Sequence, residues 1–443
     1  MSQKPPPQPT QRKRARHTRS TLGCGVCRSI RRVRCDRTRP SCQRCSSTGR
    51  LCDGYHDASA KHPWHQPAED AVVRNLPGLF ALEPEDGRSL HYFQLSTAPE
   101  LAGGFADDFW TRLVIQVGHR EDCVRYMVFA LASLHESICT SSSTPLALRG
   151  RAASYYTRAL RALNHNIASH QSAALDITLL CSILCVTFEW LRADNSAALV
   201  HLRAGLLLLL QWHEATLSGV SPSYPSHWSP SGHFIRSTLL PFYTRLFVQV
   251  QTVCDHGLSL PPVESSRDGD GRPFANLKDA RDGLYEVLGE AYRSKAVDPA
   301  RRRGRKAGPR IIRSLSTHRA HTLWCRRLDG FLARFPEARN TLAAHNLRIL
   351  REATAIMVRV EGTDDEADFD CFTTRFGEIV ELVEQLYSIK TTAFSPDMSV
   401  ISVLYYVGVK CTHPAISRKA IGLLERAIRR EGIWHSIDAV RVA

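Results

Sequence analysis

Six cysteines between Cys24 and Cys52, in the stretch CGVCRSIRRVRCDRTRPSCQRCSSTGRLC, have the residue type and spacing to do chemistry. They fall into two halves that nearly repeat. Cys24, Cys27 and Cys35 are separated by gaps of two and seven residues, and Cys42, Cys45 and Cys52 by gaps of two and six. A Cys-x-x-Cys pair grips one tetrahedral ion because a tight turn brings both sulfurs within about 2.3 Å of it, and zinc is the usual occupant of an all-thiolate site. One zinc would use four of the cysteines and strand two. Two zincs need eight ligand places, which six thiolates fill only if two sulfurs bridge both ions. The near-repeat points to the leading cysteine of each half, Cys24 and Cys42. Such a cluster is anionic, and the arginines around it would offset the excess charge. In roughly 30 residues no hydrophobic core is feasible, so metal binding must supply the folding energy.

The first half carries one residue too many. Ser29, within RSIRRVR, is the most economical extra residue, because its removal restores two equal halves. On a helix, one added residue rotates everything after it by roughly 100° and advances it by about 1.5 Å. Three outcomes stay open: a bulge before Cys35 that leaves both metals bound, a crippled first site with a single zinc, or a residue introduced at an alternative splice junction.

Residues 23 to 55 resemble the fungal binuclear zinc cluster transcription factors. The likeness rests on Gly23, the cysteine frame, Arg28, the run IRRVRCD from Ile30 to Asp36, Pro40 two residues before Cys42, and the closing STGRLCDGY. It implies that Cys24, Cys27, Cys35 and Cys42 hold one zinc and that Cys24, Cys42, Cys45 and Cys52 hold the other. The family's usual gap between the second and third cysteines is six residues, so the seven found here are a departure. Counting back from Cys35, the family pattern places its base-contacting pair at Arg31 and Arg32, with Arg28 and Arg34 near the phosphates, and implies recognition of CGG-like triplets. Bidentate arginine to guanine in the major groove is the commonest means of base readout. Arg37, Arg39, Arg44 and Arg50 read as backbone contacts or solvated surface.

Charge supports a nucleic-acid partner. Residues 1 to 50 hold fourteen Lys or Arg against one acid, Asp36, so most of the formal +15 sits at one end of the 443-residue chain. That is the electrostatic footprint of a module that releases counterions from a duplex. The tail QRKRAR, with Arg12, Lys13, Arg14 and Arg16, reads as a nuclear localisation signal, a phosphate-binding arm, or both. The first twenty residues contain no apolar run and do not read as a secretory signal peptide. The longest apolar stretch, Ile177 to Phe188, is too short for a bilayer span of roughly 20 residues and reads as a buried helix. Without a secretory signal the compartment is reducing, so close cysteine pairs point to metal before disulfide. Most of the other eight cysteines, Cys123, Cys139, Cys181, Cys185, Cys254, Cys325, Cys371 and Cys411, read as buried small hydrophobes.

The elements that position this module follow from pattern. Residues 1–20 read as a disordered basic tail, 21–55 as the binuclear cluster with two short helices, and 56–85 as a flexible linker. Residues 86–443 read as a large all-α domain. The linker has prolines at 63 and 67 and no heptad register, so dimerisation through a coiled coil is not expected, and any homodimer would use the large domain. His56, His62 and His65 read as ordinary linker histidines. In the large domain Trp110, Leu113, Val114 and Val117 share one helix face, as do Val124, Met127, Val128 and Leu131. Further helical stretches are expected at 147–169, 174–192, 196–213, 235–255, 275–294, 312–334, 338–360, 370–389 and 397–429, with loops near 214–234, 258–274 and 295–311. Strand alternation is scarce. The chain stops at DAVRVA, where another short helix is expected, so the C-terminus reads as truncated or divergent.

Three phrases, RSLHYFQLSTAPEL (Arg88 to Leu101), FADDFW (Phe105 to Trp110) and HLRAGL (His201 to Leu206), also resemble the regulatory domain of fungal transcription factors. This likeness implies a helical domain that regulates activity, meets the transcription machinery or co-regulators, and senses a metabolite or partner. No zinc-protease, nucleophile-elbow, phosphate-loop or dinucleotide motif is present, which speaks against an enzyme. DGDG (Asp268 to Gly271), RRRGRK (Arg301 to Lys306) and EGTDDEADFD (Glu361 to Asp370) read as exposed connections. Together these readings give a nuclear, zinc-dependent regulator of RNA polymerase II transcription that binds double-stranded DNA and no membrane. The alternative is a nuclear interaction scaffold whose cluster Ser29 impairs.

Overall fold

The computed structural model describes residues 24, 27, 35–38, 41–48 and 52 of the N-terminal part. Beyond it the described residues are 83–105, 107–139, 145–170, 175–218, 224–226, 229–253, 257–261, 272–296, 310–360, 366–387, 394–427 and 429–443. The chain divides into two compact units, residues 1–78 and 79–443. The small unit contains one described helical turn, α1 (Gln43–Ser46), and its buried interior is sulfur: Cys24, Cys27, Cys42 and Cys45 are fully enclosed. The linker histidines, DGDG and RRRGRK lie outside the described residues.

The large unit is almost wholly helical. It starts with α2 (Pro84–Tyr92), a wide π-helical turn (Phe93–Thr97) and α3 (Ala98–Ala102). A second π-helical turn (Phe109–Leu113) leads into α4 (Val114–Gly118) and α5 (Asp122–Cys139). Then come α6 (Pro145–His170), α7 (Leu175–Leu191), α8 (Asn195–Ser218) and α9 (Pro230–Phe234). A third π-helical turn (Ile235–Leu239) feeds α10 (Leu240–Gln251), followed by α11 (Leu277–Ala296), α12 (Arg310–Arg334), α13 (Leu342–Arg359) and α14 (Thr373–Tyr387). The first and third wide turns have a common cause. Pro99 and Pro241 each follow closely, and a residue without an N–H cannot complete the ordinary ladder, so the turn before it widens.

The apolar stretch Ile177 to Phe188 is the middle of α7, buried on all sides from Leu179 to Phe188. Its polar members are satisfied locally: Ser182 donates to the His201 carbonyl at 2.8 Å and Thr187 to the Ile183 carbonyl at 2.9 Å. HLRAGL lies on α8 and holds that helix close. The Tyr156 hydroxyl meets His201 Nε2 at 2.8 Å, and a Cβ on Gly205 would fall 2.2 Å from the Tyr243 hydroxyl, which donates to the Leu179 carbonyl. Glycine is required there by close approach. No helix among the described residues is long and apolar enough to cross a membrane.

Several expectations are corrected. The stretch 397–429 is not one helix but two, α15 (Val400–Lys410) and α16 (Pro414–Arg426), because Pro414 can start a helix and cannot continue one. Residues near 214–234 are partly helical, since α8 runs on to Ser218 and α9 begins at Pro230. A small sheet joins β1 (Phe394–Ser395) in parallel to β2 (Arg430–Glu431), which turns through Gly432 (φ 54°) to antiparallel β3 (Trp434–His435). The final helix α17 (Ser436–Val442) covers DAVRVA apart from its last residue. Cys123, Cys181, Cys185 and Cys411 are buried, whereas Cys139, the last residue of α5, and Cys371 are exposed and Cys325 is half-buried. Cys254 lies outside the described residues.

The sheet presents one carboxylate. Glu431, fully buried on β2, accepts the N–H groups of Ser399 (2.9 Å), Val400 (3.2 Å) and Ile401 (2.9 Å) at the start of α15, and pairs with Arg429 at 2.9 Å. It supplies acceptors for donors that the first turn of α15 cannot satisfy internally.

A second buried ionic group ties four separated segments together. Arg245 on α10 reaches Asp282 on α11 (2.9 Å) and Asp397 before α15 (2.9 Å). Arg281 on α11 reaches Asp107 (2.7 Å), Asp282 (3.0 Å) and Asp397 (3.0 Å). Phe242 and Phe105 cover the two guanidinium faces at 4.2 and 4.8 Å. The FADDFW phrase therefore contributes both Asp107 and one of the aromatic covers.

Candidate metal centre

The near-repeat of the cysteines is visible in their backbone hydrogen bonds. The leading sulfur of each Cys-x-x-Cys pair accepts the N–H of the trailing cysteine, Cys27 to Cys24 at 3.4 Å and Cys45 to Cys42 at 3.3 Å. In the second half this is also the cap of α1, whose N-cap residue is Cys42. Cys42 N–H in turn donates to the Cys52 sulfur at 3.4 Å. N–H donors aimed at sulfur favour the thiolate form that a metal requires.

Six sulfurs gather into one body. Cys24, Cys27, Cys35 and Cys42 place their sulfurs within 4.8 Å of one another, and so do Cys24, Cys42, Cys45 and Cys52. The two sets share Cys24 and Cys42, whose sulfurs are 3.7 Å apart. Cys24 to Cys45, Cys27 to Cys42 and Cys27 to Cys45 measure 3.8, 3.7 and 3.8 Å. A tetrahedron with metal–sulfur bonds of about 2.3 Å has sulfur–sulfur edges of about 3.8 Å, whereas a disulfide would need about 2.05 Å. The donor set and its spacing therefore fit zinc. Burial pushes the Cys42 thiol up to about 12 and drives Cys24 and Cys27 upward too, so thiolates here need a cation among them.

Asp36, assigned no contact of its own from sequence, joins two parts of this unit. Its carboxylate accepts N–H bonds from Gln43 (2.9 Å) and Arg44 (3.1 Å), the first two residues of α1, and the Thr38 hydroxyl also donates to it. The Thr38 hydrogen bond first, then the two backbone donors, hold this carboxyl well below the usual range. Between Cys35 and α1 the chain turns through Arg37 in the left-handed region, φ 63°. Asp36 thus ties the segment carrying Cys35 to the turn carrying Cys42 and Cys45. Its position as the lone acid in a strongly basic stretch was the available signal. Asp36→Ala in the full chain is expected to weaken zinc retention on the order of 10-fold, read by competition with a chromogenic chelator. Unchanged retention would reduce Asp36 to a solvated surface group.

Of the other residues singled out from sequence, Arg37 and Arg44 are described and exposed. Arg28, Ser29, Arg31, Arg32, Arg34, Arg39 and Arg50 lie outside the described residues, as do Arg12, Lys13, Arg14 and Arg16.

Comparison with known proteins agrees with the sulfur geometry. The model of the fungal Zn(2)-Cys(6) binuclear cluster domain matches residues 22–62, and that of the fungal specific transcription factor domain matches residues 88–289. The aspercryptin biosynthesis cluster-specific transcription regulator of Emericella nidulans is 31% identical over 223 residues, covering 44% of this chain and 35% of that protein. A transcription regulator of Purpureocillium lilacinum is 28% identical over 217 residues, 45% of this chain and 51% of that one. A Zn(2)-C6 fungal-type transcription factor of Aspergillus fumigatus is 30% identical over 139 residues, 28% of this chain and 34% of that one. The chain spans between about a third and a half of the length of these curated relatives. No solved structure matches it. Family models and relatives alike describe transcription regulators, not enzymes.

Proposed function

Given that this chain belongs to the fungal Zn(2)-Cys(6) family of transcription regulators, we propose that it is a nuclear, zinc-dependent, sequence-specific DNA-binding regulator of RNA polymerase II transcription. The observation that carries the reading is the gathering of six sulfurs into two four-sulfur sets that share Cys24 and Cys42. On this reading Cys24, Cys27, Cys35 and Cys42 hold one zinc, Cys24, Cys42, Cys45 and Cys52 hold the second, and the extra Ser29 is absorbed before Cys35. Arg31 and Arg32 read a CGG-like triplet in the major groove, Arg28 and Arg34 contact phosphates, and Arg12, Lys13, Arg14 and Arg16 direct nuclear import. The cluster module occupies residues 21–55, behind a basic tail at 1–20 and ahead of a linker at 56–85. The helical unit from 86 onward supplies contacts to co-regulators, an effector site, and any homodimer contact.

The test is the zinc content of the full chain by native mass spectrometry, as written and with Ser29 deleted, alongside binding to a CGG-containing duplex at fixed salt. Equal zinc content in both chains, with duplex selectivity lost in Arg31→Ala/Arg32→Ala, supports the reading; each lost arginine–guanine pair is worth about 1–3 kcal/mol of discrimination. One zinc fewer in the chain as written, with binding that depends only on charge, would instead favour an interaction scaffold.

A further inference from the structure

We infer that Glu100, His135 and Cys139 form a second metal site, for a single zinc-like divalent ion, within the helical unit and independent of the cysteine cluster. His135 and Cys139 are four residues apart at the C-terminal end of α5, so one helix face carries both. Glu100 comes from α3 and faces them. His135 Nε2 stands 3.1 Å from Cys139 Sγ and 3.1 Å from Glu100 Oε2, and all three donor atoms lie within 4.8 Å of one another. Tetrahedral zinc with bonds of about 2.0–2.3 Å sets its ligand atoms roughly 3.3–3.6 Å apart, so a small outward adjustment admits the ion.

The surroundings are those of ligands held in place from behind. The other imidazole nitrogen, Nδ1, meets the Thr97 hydroxyl at 3.0 Å, and with Nδ1–H donating there the Nε2 lone pair is left for a metal. The second carboxylate oxygen, Glu100 Oε1, accepts the N–H of Phe394 on β1 at 3.1 Å, which leaves Oε2 directed at the histidine. The Tyr92 ring stands edge-on to the imidazole at 5.8 Å. Exposure grades across the site: His135 is buried, Glu100 is half-buried and Cys139 is exposed. Three protein ligands with one open side are the pattern of an ion that completes its sphere with water or an outside donor. Charge also balances, because one carboxylate and one thiolate neutralise a divalent cation, which makes partial burial tolerable. Nitrogen, oxygen and sulfur donors together suit zinc better than the hard cations calcium or magnesium. Bound there, the ion would link α3 and α5 to the strand that carries Phe394, so the helical unit would gain stability with zinc.

The test counts zinc in the full chain in two backgrounds. In the parent, Cys139→Ser and Glu100→Gln are each expected to lower the count by one ion per chain and to leave the rest in place. In a chain carrying Cys24→Ser/Cys42→Ser, one zinc is expected to remain and to vanish when Cys139→Ser is added. Cobalt in that same background should give a thiolate charge-transfer band that Cys139→Ser abolishes. Zinc should also raise the thermal midpoint of the helical unit in the parent and not in Cys139→Ser. No zinc in the cluster-deficient chain, or zinc that survives Cys139→Ser there, would overturn the inference. Neither result bears on the cluster, whose own count is read in the Cys139→Ser chain.

Discussion

Cys42→Ser is expected to strip the N-terminal unit of both zinc ions, while Cys52→Ser removes one. If the sulfur shared by the two four-sulfur sets bridges two ions, its loss takes a ligand from each at once. Cys42 also begins α1 and contacts Cys24 and Cys27 at 3.7 Å, so its removal opens the centre of the sulfur body rather than its rim. Cys35 and Cys52 are only partly buried and each belongs to one set. A structural zinc contributes on the order of 10–16 kcal/mol to a small metal-folded module, and a unit whose described buried residues are all cysteines has little to replace it. Binding to a CGG-containing duplex should therefore fall to the level of a basic tail alone in Cys42→Ser, and with it the selectivity over a scrambled duplex. Native mass spectrometry of the full chain gives the ion count, and titration of the two duplexes at one salt concentration gives the selectivity. Loss of a single ion in Cys42→Ser, matching Cys52→Ser, would mean that the sulfur serves one ion and that bridging is wrong.

What could be read beforehand divides along physical lines. Cysteine spacing was legible because coordination chemistry fixes which residue types must converge, whatever the surrounding fold. The helices of the large unit were legible where apolar faces repeat, as in Val124, Met127, Val128 and Leu131, all of which are buried. The three strands among the described residues are two residues each, too short for any alternation to register. The break at Pro414 was readable from a proline following Thr412 and His413, but the apolar runs on either side masked it. Cys139 was misjudged because its apolar neighbours belong to the buried face of α5 while the cysteine itself ends that helix in the open. Glu431 and the two central arginines escaped for a common reason. A charged residue on a helix or strand normally faces water, and only its partners, up to 174 residues away in sequence, reveal that it is buried. Asp36, by contrast, is exposed and escaped because its partners are backbone N–H groups seven and eight residues ahead.

Arg281→Ala is expected to destabilise the helical unit by about 3–5 kcal/mol and lower its thermal midpoint by on the order of 10 °C. The side chain is 2% exposed and is the main partner of Asp107, whose other guanidinium neighbour among the described residues, Arg245, stands 3.9 Å away. Without Arg281, three carboxylates converge on one arginine and Lys278, and the penalty of a buried unpaired charge outweighs any relief from deleting the guanidinium. Arg281→Lys should fall between the two, because an ammonium keeps the charge but cannot fork to three acceptors. The same group sets an acid limit. Burial alone would raise Asp282, but Arg245, Arg281 and Lys278 hold it at about 2, and Asp107 is likewise lowered by Arg281 and Arg245 despite its burial. A carboxyl depressed in the folded state contributes its full stability above the unfolded value near 4 and loses it as pH falls toward 2. Acid unfolding of the wild-type chain, followed by helical circular dichroism, should therefore draw on these groups below about pH 4, and Arg281→Ala should shift that transition upward. Zinc at the cysteine cluster should be unchanged in the variant, since the described partners of Arg281 belong to the helical unit. An Arg281→Ala chain within about 1 kcal/mol of wild type would show that the converging carboxylates are relieved by protonation or water, and that the network orders the segments without holding them together.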